Sequence, residues 1–141
     1  MKISNNCVYL VKQFEGFEAK AYKCPAGVWT IGYGHTLNVR PNDVITEAQA
    51  STLLEEELQD YAAKVSKIVP TANQNQFDAL VSFAYNLGVN ALGTSTLLKK
   101  HLIGDYKGAQ AEFLRWDKAN GRVLTGLTKR RQQESTLYGK Q

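Results

Sequence analysis

The sequence predicts an α+β chain. It is mainly helical, with a small N-terminal β-sheet lobe and a C-terminal helical bundle joined by a long helix, and a cleft between the two lobes. Three observations carry this expectation. Residues 17 to about 40 hold Gly27, Gly32 and Gly34 with β-prone Val28, Trp29, Thr30, Ile31 and Tyr33 between them, the pattern of a tightly turning sheet. Thr46-Glu47-Ala48-Gln49 is a capping box that opens an apolar period through Leu53, Leu54, Leu58, Tyr61 and Val65. Beyond Pro70 the chain keeps helical periodicity, and Gly88, Gly93, Gly104 and Gly121 punctuate it.

In chain order, Ile3, Cys7, Leu10, Val11 and Phe14 recur at helical spacing, with Ser4 as N-cap and Gly16 as stop. This first helix delivers Glu15 at its end. The sheet follows, and then the long helix, on which Glu55-Glu56-Glu57 reads as a wet face. Thr71-Ala72-Asn73-Gln74 reads as a second capping box, ahead of Phe77, Leu80, Val81, Ala84 and Tyr85. Shorter helices are expected around 95–102, 106–116 and 127–138. Residues 1–141 read as one domain, about 15–45 forming the β lobe and the remainder the helical lobe.

Composition removes several classes. With 43% hydrophobic and 21% charged residues the chain is neither low-complexity nor largely disordered. Nothing approaches the roughly 18 consecutive apolar residues of a membrane span. The N-terminus lacks the apolar run of a signal peptide. Two cysteines, Cys7 and Cys24, form no disulfide framework, and His35 and His101 stand far apart, so no zinc spacing exists. Gly32-Tyr33-Gly34 lacks the third glycine of a dinucleotide fingerprint. Neither metal nor cofactor is expected. The net charge is +4, and all of it lies in the second half: residues 1–70 carry 7 basic and 8 acidic side chains, residues 71–141 carry 10 and 5. A polyanionic partner and a solvated basic face both fit that asymmetry. The clusters Lys99-Lys100-His101 and Lys129-Arg130-Arg131 sit in no nucleic-acid motif, so no nucleic-acid partner is expected.

The informative stretch runs from Phe14 to Thr36. Glu15 leaves a helix among Phe14, Phe17, Tyr22 and Trp29. A carboxyl group walled by apolar surface favours its protonated form, which is what a general acid needs. The pattern resembles the phage-type lysozymes, or endolysins, of glycoside hydrolase family 24. Their signature is a Glu, a second catalytic residue nine positions later and a Thr fifteen positions later, which fall here on Glu15, Cys24 and Thr30. The run Thr30-Ile31-Gly32-Tyr33-Gly34-His35-Thr36 is very close to the family's motif. Tyr85-Asn86-Leu87-Gly88 looks like its inter-lobe motif, and Trp116 with Gly126-Leu127-Thr128-Lys129-Arg130-Arg131 matches its C-terminal pattern.

The resemblance implies hydrolysis of the β-1,4 bond between N-acetylmuramic acid and N-acetylglucosamine in peptidoglycan. Glu15 would protonate the leaving oxygen, and a water held by Thr30 and residue 24 would attack from the other face, with inversion. By position, Thr36, Tyr85, Asn86, Thr96 and Gln110 would contact glycan. Arg130 or Arg131 would pair with Glu15. His35 would be a structural, hydrogen-bonded histidine, and Trp116 a core residue. The partner would be peptidoglycan glycan strands, met by a monomer with no stable membrane association. The chain would accumulate in the bacterial host cytoplasm until a holin opened the way to the wall.

One residue departs from the commonest form of the family: position 24 is Cys, not Asp. A free thiol titrates near about 8.5 and is mostly protonated at neutral pH. Three roles are open to it: holding water with Thr30, assisting electrostatically, or acting as nucleophile. Holding water is the reading adopted. Without a second carboxylate, a lytic transglycosylase leaving anhydro-muramic ends, or an inactive wall-binding protein, is the alternative. Cys7 reads as a small buried hydrophobe.

Overall fold

A computed structural model describes residues 1–140. Helix α1 spans Asn5–Glu15. Ser4 caps it, accepting from Asn6 N–H through its hydroxyl. The same Ser4 also donates both its backbone N–H and its hydroxyl to Asp78, so the cap fixes α1 onto a neighbouring helix. Gly16, at φ 71°, stops the helix.

Strands β1 (Glu18–Lys23) and β2 (Trp29–Gly32) pair antiparallel, with Tyr22 opposite Thr30 and Lys23 opposite Trp29. A turn joins them, in which Cys24 N–H donates to Val28 C=O and Gly27 N–H to Cys24 C=O. Residues 43–45 run along the free edge of β1, tied by Ala21 N–H to Asp43 C=O and Ile45 N–H to Ala19 C=O.

Helix α2 (Glu47–Ile68) leads from this lobe into the bundle, and the capping box of Thr46 and Gln49 forms as expected. Helix α3 (Gln74–Leu87) is the bundle's axis. Phe77, Ala79, Leu80, Val81, Phe83 and Ala84 are all buried on it, and so are Asp78 and Ser82. A helix apolar nearly all round belongs in a core. Around it lie α4 (Val89–Gly93), α5 (Thr96–Leu102), α6 (Tyr106–Glu112), a short 3-10 turn at Phe113–Arg115 and α7 (Thr125–Tyr138). No helix among the described residues is long and apolar enough to cross a membrane.

The expected α+β architecture is present, with local corrections. The second capping box is Asn73 with Gln76, two residues later than Thr71 with Gln74. Thr71 is occupied otherwise: its carbonyl accepts from His101 Nε2. Helix α4 was not expected. The segment 118–123, expected only to break the helices at Gly121, forms a hairpin, β3 (Lys118–Ala119) with β4 (Arg122–Val123). Asn120 and Gly121 make its turn with φ of 52° and 77°, the backbone that Asn-Gly supplies.

Candidate active site

Glu15 sits where the end of α1 meets the other lobe. Its Oε2 accepts from Arg130 Nη1 at 2.6 Å, and its side chain keeps 23% of its exposure. The β-lobe turn passes just as close. A Cβ built on Gly34 would stand 2.7 Å from Glu15 Oε1, and Gly34 itself has φ +84°. The absence of a side chain there, and the left-handed backbone, both require glycine. Of the two arginines left open by the sequence, Arg130 is the partner. The expected aromatic wall is largely elsewhere: Phe17 packs on Tyr33 and Phe14 against the core. Tyr22 does lie nearby, since Glu15 and Cys24 both contribute to raising its phenol, after burial and Glu18.

Cys24 and Thr30 share the β1–β2 turn. Cys24 is half-buried and free. Its thiol is held below the ordinary range, chiefly by the backbone amides of Val28 and Ala26 and then by the Thr30 hydroxyl, against partial desolvation. Hydrogen bonds to a thiolate favour that form. Thr30 is buried, and its hydroxyl lies 3.0 Å from Val28 C=O. The hydroxyl has one proton. Given to Val28, it leaves the oxygen's lone pairs to accept from water. Cys7, by contrast, is buried under α3, and burial first, then Asp78 and Glu134, push its thiol far up.

Behind Glu15 lies a buried ionic group. Arg130 Nε donates to Glu134 Oε2 at 3.3 Å and Nη2 to Ser82 C=O at 3.3 Å. Arg131 Nη2 donates to Asn86 Oδ1 at 2.7 Å and to Glu134 Oε2 at 3.3 Å. Ser82 gives its hydroxyl to Glu134 Oε2 at 2.5 Å. Arg131 Nε and Glu134 Oε1 are 2.8 Å apart but misaligned, so they form an ion contact without a hydrogen bond. Burial works against both charges, lowering Arg131 and raising Glu134, and each is drawn back by the other.

The remaining expected residues divide. Asn86 is brought into this group by Arg131. Tyr85 is close to Glu15 but turns its hydroxyl inward, 3.4 Å from both Tyr33 C=O and Glu57 Oε2. Burial, then Glu57 and Glu15, hold that phenol protonated. His35 Nδ1 meets Glu57 Oε1 at 2.5 Å, so His35 is hydrogen-bonded and Glu57 is no mere wet face. Thr36, the last residue of the motif, is exposed at the start of a loop, and Thr96 is exposed in the first turn of α5. Gln110 is not brought to the site. Its Nε2 donates to Ser135 C=O, and it lines a groove with Thr71, Gln76, Tyr106 and Tyr138, near the opposite end of α3 from Asn86. Trp116 meets Phe83 edge-on and packs against the core. The sequence reading missed Glu134 and Ser82. Only Ser82 carried a signal, as a polar residue on an otherwise apolar helix; the polar sequence of α7 marks no face on which Glu134 would be buried. Among the described residues no three His, Cys, Asp or Glu side chains gather to hold a metal.

Known proteins extend this picture. A family model described as phage lysozyme matches residues 12–134. The chain is 48% identical to an endolysin of Acyrthosiphon pisum secondary endosymbiont phage 1, over 98% of each. It is 46% identical to an endolysin of Bacillus phage B103 over 98% of its own length, but spans only 54% of that longer protein. The muramidase domain of SpmX from Asticaccaulis excentricus superposes with a TM-score of 0.93 at 39% identity, covering 99% of both chains.

Proposed function

The chain belongs to the phage lysozyme family and is a peptidoglycan hydrolase, a muramidase, and from that premise we propose how its residues divide the work. Glu15 is the general acid that protonates the leaving glycosidic oxygen. Cys24 and Thr30 hold the water that attacks the opposite face of the sugar, and the product is inverted. The observation that carries this reading is the clamp on Glu15: a part-exposed carboxyl fixed between Arg130 and Gly34, on the side of the molecule where the two lobes meet. The water-holding half is supported by Thr30, whose lone pairs are free once its proton goes to Val28. Asn86 presents glycan-facing amide hydrogens, because Arg131 occupies its carbonyl oxygen. Thr36 and the ring of Tyr85 flank the same strand. Delivery to the wall through a holin is part of this proposal. Lysis from within the host only when a holin is co-expressed is the outcome expected of it.

The test is product chemistry. Purified peptidoglycan is digested under reducing conditions in ¹⁸O-water, with Glu15→Gln in parallel, and the initial anomer is read by NMR. One ¹⁸O at N-acetylmuramic acid, α configuration and an inactive variant are expected. Anhydro-muramic ends would instead mean a transglycosylase, and a β anomer would assign Cys24 as nucleophile.

A further inference from the structure

Two parts of the proposed site, the acid Glu15 and the glycan-facing Asn86, are each held by one arginine, and both arginines are held by one carboxylate. Glu134, Arg131 and Arg130 have side-chain exposures of 0%, 0% and 3%. Glu134 receives Arg130 Nε, Arg131 Nη2 and the Ser82 hydroxyl on the same oxygen. Packing does not call for such a group. Buried ions are costly to desolvate, and apolar residues of similar volume often serve stability equally well or better. Nor is the group arranged for stability: Arg131 Nη1 and Glu134 Oε1 have no hydrogen-bond partner among the described residues.

We propose that Glu134 is a positioning residue that sets Glu15 through Arg130 and Asn86 through Arg131, so that one buried carboxylate couples acid placement to glycan binding. This rests on the site reading above. The charge balance suits the reaction. With Glu15 protonated, the four groups carry one positive charge in excess, and when Glu15 gives up its proton they sum to zero. Proton transfer therefore relieves an uncompensated buried charge. The groups facing Glu134 are Arg130 and Arg131 on its own helix, Ser82 on α3, and Cys7 on α1, which feels both Glu134 and Asp78.

The experiment measures kcat, KM and the pH–rate profile on soluble glycan oligomers for Glu134→Gln, Glu134→Asp and Ser82→Ala, with Glu15→Gln as control and thermal unfolding recorded throughout. For Glu134→Gln, kcat falls at least ten-fold and KM rises at least three-fold. The alkaline limb of the profile moves to lower pH, because Arg130 then faces Glu15 without the buried counter-charge of Glu134. Glu134→Asp, which restores the charge, returns the limb toward wild type. A folded Glu134→Gln with wild-type kcat, KM and limb overturns the proposal, and so does a change in only one of kcat and KM. If Glu134→Gln does not fold, Ser82→Ala decides: a smaller loss in both kcat and KM supports the coupling, and unchanged kinetics overturn it. Activity surviving in Glu15→Gln would sink the acid assignment itself, and so separates that failure from a failure of the coupling.

Discussion

At position 24 a thiol stands where a carboxylate is the commoner choice, and its surroundings decide what it can do. The amides of Val28 and Ala26 favour the thiolate, and the Thr30 hydroxyl adds to this when its proton turns from Val28 C=O to the sulfur, so the titration of Cys24 lies below that of a free thiol. Alkylation by iodoacetamide follows the thiolate, so its rate should rise with pH through a midpoint below that of a free thiol. Thr30→Val should raise that midpoint. Mass mapping of the folded protein should find Cys24 modified and Cys7 untouched, since Cys7 is buried and its thiolate disfavoured. A Thr30→Val midpoint equal to wild type would remove the hydroxyl from the sulfur's surroundings. Gly34 makes a second test at this scale. Gly34→Ala puts a methyl group against Glu15 Oε1 and forces a left-handed backbone on a residue that resists it, costing about 1–3 kcal/mol by the usual scale of such strain. Chemical denaturation should show that loss. Activity should fall further than stability explains, because the carboxyl is displaced from Arg130.

The elements show which parts of the fold could be read from residues alone. Local chemistry was sufficient for α1 and α2: Ser4, Gly16 and the Thr46–Gln49 box occupy their expected places. It failed at the start of α3 because two overlapping strings there satisfy the same rule. Tertiary structure chose between them, drawing the Thr71 carbonyl to His101 and leaving Asn73 to cap. The β3–β4 hairpin carried its own signal in Asn120-Gly121, which was outweighed by the helical periods on either side. In the site, Glu15, Cys24 and Thr30 were legible because they lie on one short stretch around a turn. Arg130 was legible only as one of two arginines, and Glu134 and Ser82 were not, because their meeting depends on α3 packing on α7, which no local spacing encodes. Gln110 shows the converse: a sugar-compatible side chain that packing has assigned to Ser135. The junction of α1 and α3 gives this scale its prediction. Ser4→Ala removes the helix cap and one of the two hydrogen bonds that Ser4 gives the fully buried Asp78. Only the hydroxyl is lost outright, since the backbone N–H remains. Unfolding in urea should show a loss of about 1–3 kcal/mol, combining a lost cap with an under-satisfied buried carboxylate. A loss within error of zero would mean that the backbone N–H of residue 4 and Gln74, the donors that remain on Asp78, suffice.

Across the whole molecule the charge asymmetry of the sequence acquires a location. Two of the ten basic side chains of the second half, Arg130 and Arg131, are buried and compensated by Glu134 and Glu15, so they contribute nothing to the outer field. The excess is carried by exposed side chains, among them Arg115, Lys118, Arg122 and Lys129, which cluster around the β3–β4 hairpin and the start of α7. A bacterial wall is a polyanion, so this face is expected to draw the enzyme to its substrate over distances that salt can screen, about 10 Å at 0.1 M. The chemical step involves groups that are buried and screened far less. Raising the salt should therefore slow lysis of intact walls, while leaving the turnover of short, soluble glycan oligomers nearly unchanged. Reversing Arg122 and Lys129 to Glu should flatten the salt dependence on walls and lower activity at low ionic strength, with kcat on oligomers as in wild type. Equal salt dependence on the two substrates would refute electrostatic capture and place the effect in the cleft, where the Glu15–Arg130 pair would be the group to examine.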